Sequence, residues 1–433
     1  MLLQFNFSNF KSFAEEGTLD LTAVGISELS HHVVSFDREK VLPVSVLFGA
    51  NASGKSNVYQ AFDFMSKMVR TSFAFGGRKQ REMGYEESAY PEPPRFAFSS
   101  VKQEPASFEV HILQPETQKT LVYGFSMDEK GVVEEWLYER AKTASTNKEI
   151  IYRNRDEETL DMPGLRASDQ NNIRAALDTE VLVVSLGAKL KVKQCVVISL
   201  WFHRCRTIDY GNPVENFVQS NRVPRFFKDK KTQDLVVNYL GAFDESIQGF
   251  TVEELPKQEE DDGIRYYVES LHKSLDGEQL IGIDFRDESA GTLKMFSLIE
   301  PLFDVLRFGS VLFVDELNAR LHPLLVRNLI LTFTNQETNP NHAQLIFTSH
   351  DTWHLANNTL RRDEIWFTDK DKEGRSTLYS LAEFRSGDGG KIRKDENYEK
   401  NYLLGKYRAI PSLKTIQLLF DDFTQMKGEP TDV

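Results

Sequence analysis

The segment Gly49-Ala-Asn51-Ala-Ser53-Gly54-Lys55-Ser56-Asn57 constrains this chain more than any other. It fits the spelling G-x-x-x-x-G-K-[ST], which belongs between a buried strand and the N-terminus of a helix. Its flanks agree with that placement. Pro43 to Phe48 is a short apolar, β-branched run, and Lys55 to Arg70 sets Val58, Ala61, Phe62, Met65 and Val69 at helical spacing. The residue types follow from the chemistry. Glycines let successive backbone N–H groups curl around a phosphate, and the helix N-terminus adds a positive dipole. Lys55 reaches the outer phosphates, and Ser56 ligates magnesium.

Further along, the pattern predicts a helix over 292–308, an apolar strand at Val311 to Val314, a helix around Pro323 to Thr334 and a strand at Gln344 to Thr348. Strands alternating with helices imply a parallel α/β core. Leu3, Phe5 and Phe7, then Leu19, Leu21 and Ala23, alternate around the turn Asn9-Phe-Lys11-Ser-Phe13, which suggests a strand pair. Strands expected at 107–113, 120–127 and 131–139 read as an antiparallel meander, and residues 75–106 as a loop excursion. From 142 to 258 charges are dense, and helical spacing recurs at 173–186, 196–202 and 232–247. This predicts an inserted, mainly helical domain ending in the acidic linker Glu253 to Asp262. The expected division is therefore an N-terminal lobe over 1–141, an insertion over 142–258 and a C-terminal lobe over 259–433.

Three more segments carry candidate chemistry. Val311-Leu-Phe-Val-Asp315-Glu316 is an apolar strand ending in two carboxylates, with Asp315 suited to a magnesium shell and Glu316 to orienting or deprotonating a water. Ile346-Phe-Thr-Ser-His350 is a second buried strand with a polar end, where His350 could donate a hydrogen bond to a terminal phosphate. Glu288-Ser289-Ala-Gly291-Thr292 precedes a helix. It reads either as an ordinary helix cap or as a second phosphate contact through Ser289 and the N–H groups near Gly291.

The order phosphate loop, long insertion, Ser-x-Gly-Thr, acidic strand, strand-end histidine resembles the ABC-type ATPase heads of the SMC, Rad50 and RecF kind. It is most similar to the bacterial AAA-like ATPases of phage-defence and restriction-linked loci, the OLD-like, RloA-like and AbiL-like proteins. The segments that carry the likeness are "FNFSNFKSF", "GANASGKSN", "ESAGT", "VLFVDELNARLHP", "LIFTSHD", "RRDEIWFTDKD" and "YLLGKYRAIP". The resemblance implies a P-loop NTPase of ABC-head type with an antiparallel β subdomain, binding ATP and magnesium ion. In it Gly49, Asn51, Ser53, Gly54, Lys55, Ser56 and Asn57 hold the nucleotide, with Ser56 and Asp315 at the metal and Glu316 and His350 catalytic. Ser289 and Gly291 match the signature that caps the ATP of a partner protomer, and Ala319 to His322 match the D-loop. Lys11 stands where related heads often carry arginine beside the nucleotide, and lysine cannot form the bidentate phosphate fork. The segment is not LSGGQ, which argues against a transporter head. Asp369 and Asp371 spell the D-x-D of a fused nuclease but read as a charged turn.

The function expected from this likeness is a dimerising, ATP-hydrolysing switch of bacterial antiviral defence. It would act as a homodimer or higher homo-oligomer on a separately encoded effector such as a nuclease. The alternative is a DNA-binding, RecF- or Rad50-like ATPase of repair. The summed charge, 52 − 65 = −13, requires any nucleic-acid surface to be a local patch. Two stretches qualify: Arg222, Arg225, Lys228, Lys230 and Lys231 around Phe226 and Phe227, and Lys391, Arg393, Lys394, Lys400, Lys406 and Arg408 among Tyr398, Tyr402 and Tyr407. A P-loop kinase would leave the Ser-x-Gly segment and His350 without a role. Two cysteines, no leader-like opening and no apolar run of membrane-spanning length point to a cytoplasmic chain with no membrane partner.

Overall fold

The protein, seen in a computed structural model, is described over residues 1–37, 39–75, 91–98, 104–140, 147–212, 214, 229–241, 245–254, 266–355, 359–385, 392–393 and 396–410. Its strands among these are β1 (Leu2–Ser8), β2 (Gly17–Asp20), β3 (Val34–Ser35), β4 (Lys40–Val41), β5 (Val44–Gly49), β6 (Ala106–Gln114), β7 (Lys119–Asp128), β8 (Gly131–Arg140), β9 (Lys148–Asn154), β10 (Thr159–Asp161), β11 (Arg206–Asp209), β12 (Ile247–Glu254), β13 (Tyr266–Lys273), β14 (Leu280–Asp284), β15 (Val311–Asp315), β16 (Gln344–Thr348), β17 (Ile365–Lys370) and β18 (Ser376–Ser380). The α-helices are α1 (Lys55–Thr71), α2 (Ala167–Ala176), α3 (Val183–Lys189), α4 (Lys193–Arg204), α5 (Lys230–Gly241), α6 (Ala290–Phe308), α7 (Pro323–Thr334) and α8 (Tyr398–Leu403).

The central sheet has the order β11-β15-β16-β5-β17-β18. Its first five strands run parallel, and β18 returns antiparallel to β17. Because strand side chains alternate, the two faces feed two cores. Leu47, Phe313 and Ile346 join Val58 and Phe62 of α1 in one. Val46, Phe48, Leu312, Val314, Leu345 and Phe347 join Phe296 of α6 and Leu329 of α7 in the other. A sheet covered on both faces reads as continuous apolar runs, which is how Val311 to Val314 and Leu345 to Phe347 are written.

A seven-stranded antiparallel sheet, β10-β9-β8-β7-β6-β1-β2, closes over the other side of α1. The Phe62 ring meets Phe5 of that sheet at 5.4 Å and Phe313 of the central sheet at 5.8 Å. Thus α1 is clamped between two sheets, and the loop that starts it is held from both sides. A three-stranded sheet, β12-β13-β14, leads directly into the turn before α6.

The span 142–258 does not stand apart as a helical domain. Its β9 and β10 extend the antiparallel sheet past β8, β11 forms one edge of the central sheet, and β12 pairs with β13 beyond residue 258. Lys148, Glu149 and Arg153 made β9 read as a charged stretch, yet Arg153 is 7% exposed and donates to the Val181 carbonyl at 2.7 Å. The helix expected over 173–186 is two helices. The buried Glu135 carboxylate of β8 accepts the N–H groups of Val183 at 2.6 Å and Val184 at 2.9 Å, which starts α3 afresh. The spacing at 232–247 divides into α5 and the first residue of β12. Of the acidic stretch, Glu253 and Glu254 end β12, and 255–262 lie outside the described residues, as do most of 75–106.

Candidate functional site

Parallel strands bring their C-terminal ends to one edge of the sheet, where α/β folds bind ligands. Gly49 ends β5, Asp315 ends β15, Thr348 ends β16 and Asp209 ends β11. The loop Gly49–Gly54 is shaped by close approach. A Cβ on Gly49 would fall 2.5 Å from Ser53 Oγ and from two oxygens of Thr368, and Gly54 adopts φ +115 with Ser376 Oγ 2.6 Å from where its Cβ would be. Ala52 is also left-handed, at φ +62. Ser53 is buried and shares a hydrogen bond with Thr368 Oγ1 at 2.6 Å. Asn57 Nδ2 donates to Ser12 Oγ at 2.6 Å, so both side chains hold the loop to its neighbours, while Asn51 is exposed and Ser56 half-buried.

Lys55 shows best what the loop suits. It is 5% exposed, and its Nζ donates to the carbonyls of Gly49 at 2.8 Å and Ala50 at 2.9 Å. Among the described residues no carboxylate forms an ion pair with it. Burial lowers its ammonium to about 8, against the opposing pull of Asp315 and Glu316. No side chain caps Gly54 at the start of α1, and no acidic residue lies in the first turn. A buried cation without a counter-ion, beside an uncapped helix start, fits a polyphosphate. A consequence can be measured. Phosphate charge beside Lys55 restores the proton it loses near pH 8, so ATP binding takes up protons and affinity falls as pH rises above about 8. Calorimetry at pH 8 in two buffers of different ionisation enthalpy should register that uptake; identical heats would remove Lys55 from the phosphate contact.

The acidic pair splits into unequal environments. Asp315 is 2% exposed and accepts from Thr348 Oγ1 at 2.5 Å, while the same hydroxyl accepts the Glu316 N–H at 2.8 Å. Glu316 turns outward at φ +54, with its side chain 38% exposed and its Oε1 4.0 Å from His350 Nε2. Burial, then the nearby Lys55, holds His350 below the usual histidine value, so at neutral pH it is a neutral ring with one N–H to give. Magnesium is commonly held by one or two protein oxygens plus phosphate and water, and Ser56 with Asp315 is a donor set of that kind. Among the described residues no group of three or more His, Cys, Asp or Glu side chains could hold a metal alone.

Two contributors were missed from the sequence. Thr348 links the Asp315 carboxylate to the Glu316 backbone N–H, and only its place in "LIFTSHD" hinted at it. Asp209 pairs in register with Asp315, and burial followed by Asp315 raises its carboxyl above the usual range. Lys11, at φ +50, sends its ammonium to Gln60 Oε1 at 2.5 Å on α1, and its described hydrogen bonds do not reach the loop. Ser289 is exposed and caps α6 through Thr292 N–H at 3.1 Å; Gly291 lies against the Arg320 carbonyl, 3.2 Å from a notional Cβ. Among the described residues no hydrogen bond joins either to residues 49–57. Of the expected D-loop, Ala319 N–H closes a turn onto Glu316 O at 3.0 Å, and His322 caps α7.

The second basic stretch needs correction. Tyr398, Tyr402 and Tyr407 are buried at 2%, 8% and 0% exposure, with the Tyr402 ring stacked on Phe367 at 5.4 Å, so they serve the core and are not free to stack on bases. Lys406 pairs with Glu396. Lys391 and Lys394 lie outside the described residues, as do Arg222, Arg225, Phe226, Phe227 and Lys228. Asp371 Oδ1 accepts the N–H groups of Glu373 at 2.9 Å and Arg375 at 2.8 Å, the geometry of a charged turn. Among the described residues no helix is long and apolar enough to cross a membrane.

Residues 44–353 match the protein family described as "AAA domain, putative AbiEii toxin, Type IV TA system". No curated protein matches. One solved structure, titled "Crystal structure of the SmcHead bound to the C-winged helix domain of ScpA", aligns over 88% of this chain and 97% of that chain at 13% identity, with a TM-score of 0.41.

Proposed function

Because the chain belongs to this family of AAA domains, we propose that it is a magnesium-dependent ATPase whose hydrolysis cycle switches a dimer of heads between open and closed states. In a bacterial defence locus, that switch would control a separately encoded effector such as a nuclease. The observation that carries this reading is the convergence of buried Lys55, buried Asp315, outward Glu316 and neutral His350 at one edge of the parallel sheet.

Bound ATP with magnesium would supply an electrophilic terminal phosphoryl group. Lys55 and the N–H groups of Gly54, Lys55 and Ser56 would neutralise and cradle phosphate charge, and Ser56 with Asp315 would hold the metal. Glu316 would orient a water and accept its proton, and His350 would donate its N–H to a terminal oxygen. Ser289 and Gly291, which among the described residues make no hydrogen bond to the loop of their own chain, would complete the site of a second copy. The narrower kinship with OLD-, RloA- and AbiL-like proteins is part of this proposal, as is cytoplasmic residence.

The purified chain is expected to release phosphate from ATP in magnesium and to leave DNA and RNA intact. Protection of cells from phage should need both Glu316 and a neighbouring gene. Metal-dependent nuclease activity of the chain itself, abolished by Asp369→Ala or Asp371→Ala, would overturn the effector half of the reading.

A further inference from the structure

Helix α6 is apolar where it enters the core, with Met295, Phe296, Leu298 and Ile299 all at or below 1% exposure. In the midst of these stands Lys294, 3% exposed. Its Nζ donates to three carbonyls of the loop after β15: Glu316 at 3.0 Å, Leu317 at 2.9 Å and Ala319 at 2.7 Å. All three ammonium protons are thereby used on one loop. The same ammonium lies 3.9 Å from the centre of the Tyr210 ring, and Tyr210 is fixed in turn by its N–H to Asp315 O at 3.2 Å and its hydroxyl to Ser297 Oγ at 2.9 Å.

A lysine here is a poor choice for stability alone. Among the described residues no carboxylate forms an ion pair with it, and burial lowers its ammonium to about 7. A methionine would fill the same space without desolvating a charge. What lysine adds is direction. Glu316 sits at φ +54, a conformation a non-glycine residue keeps only when its surroundings impose it, and Lys294 holds its carbonyl while Thr348 holds its N–H. The first turn of α6 touches the same loop, through Gly291 against the Arg320 carbonyl.

We propose that Lys294 is a positioning residue that locks the Glu316 loop to helix α6, so that the Ser289–Gly291 segment and the carboxylate of Glu316 move as one body. This rests on the reading of Glu316 as the base and of Ser289 as a contact to a partner's nucleotide. Under it, engagement of Ser289 by the partner would be felt at Glu316 without any change at the phosphate loop.

The test separates turnover from binding. Lys294→Met keeps chain length and loses the donors, and Lys294→Gln keeps two amide protons for the three carbonyls. Lys294→Met should lower kcat about 10- to 100-fold, the loss that a displacement near 1 Å brings. Its ATP affinity, measured with magnesium before turnover, should stay within about two-fold of wild type, and Lys294→Gln should fall between. Wild-type kcat in Lys294→Met overturns the proposal. So does a parallel loss of kcat, affinity and melting temperature, or a Met variant that cannot be purified folded while Lys294→Gln keeps full kcat, since the lysine then serves the fold alone. Glu316→Gln run beside them tells the two failures apart: if it hydrolyses at the wild-type rate, the assignment of the base fails, whatever Lys294 does.

Discussion

Glu316→Gln is expected to bind ATP as tightly as the wild type and to turn it over about 10²- to 10⁴-fold more slowly. The substitution preserves volume and hydrogen bonding and removes only basicity. The structure gives a reason to expect the effect at this residue and not at its neighbour. Asp315 is buried and tied to Thr348, placed to hold and not to exchange a proton with water. Glu316 leaves the strand in a left-handed turn that carries its side chain out of the core to 38% exposure, within 4.0 Å of His350. Asp315→Asn should instead weaken magnesium-dependent binding. Single-turnover phosphate release beside a filter-binding affinity distinguishes the two variants. A Glu316→Gln protein hydrolysing at the wild-type rate would sink the assignment.

The phosphate loop was legible because three independent signals coincide within 30 residues or so of chain: an apolar β-branched run, a glycine-spaced loop and a helical stripe. The parallel core was legible for the same reason at β15 and β16, where both faces are buried and the strands read as unbroken apolar runs. β11 was not. Over Arg206–Asp209 only Ile208 is buried, so no alternation betrays the strand, and Asp209 looked like one more charge in a charged region. β9 was hidden in the same way, because its Arg153 finds its partners in the carbonyls of Asp178, Thr179 and Val181, in the turn before α3. Lys294 was invisible from the opposite direction. In a helix running Ala290–Phe308 a single lysine reads as the edge of an apolar stripe, and only the path of the loop after Asp315 reveals what its three protons meet.

A mixture of two inactive variants should recover hydrolysis if the site is shared between copies. Lys55→Ala removes the cation that the loop carbonyls hold buried, and so should abolish ATP binding in its own loop. The second variant must disable Ser289–Gly291 without disturbing the Glu316 loop of its own chain, and the structure decides how. A side chain at Gly291 would press on the Arg320 carbonyl at 3.2 Å, a few residues from Glu316, so Gly291→Asp would damage both functions at once. Ser289 is exposed and only caps α6, so Ser289→Arg places bulk on the outer surface and forfeits about 1 kcal/mol of capping. Each variant alone should be nearly inactive. In an equimolar mixture of exchanging two-fold dimers, half are mixed, and each mixed dimer has one intact site of two, so activity should return to about a quarter of wild type. Ser289→Arg must still bind ATP with wild-type affinity, which shows that its loop is sound. If mixed dimers form, as an affinity tag on one variant would show, and hydrolysis does not return, then Ser289 acts within its own chain and the closing of two heads is not what completes the site.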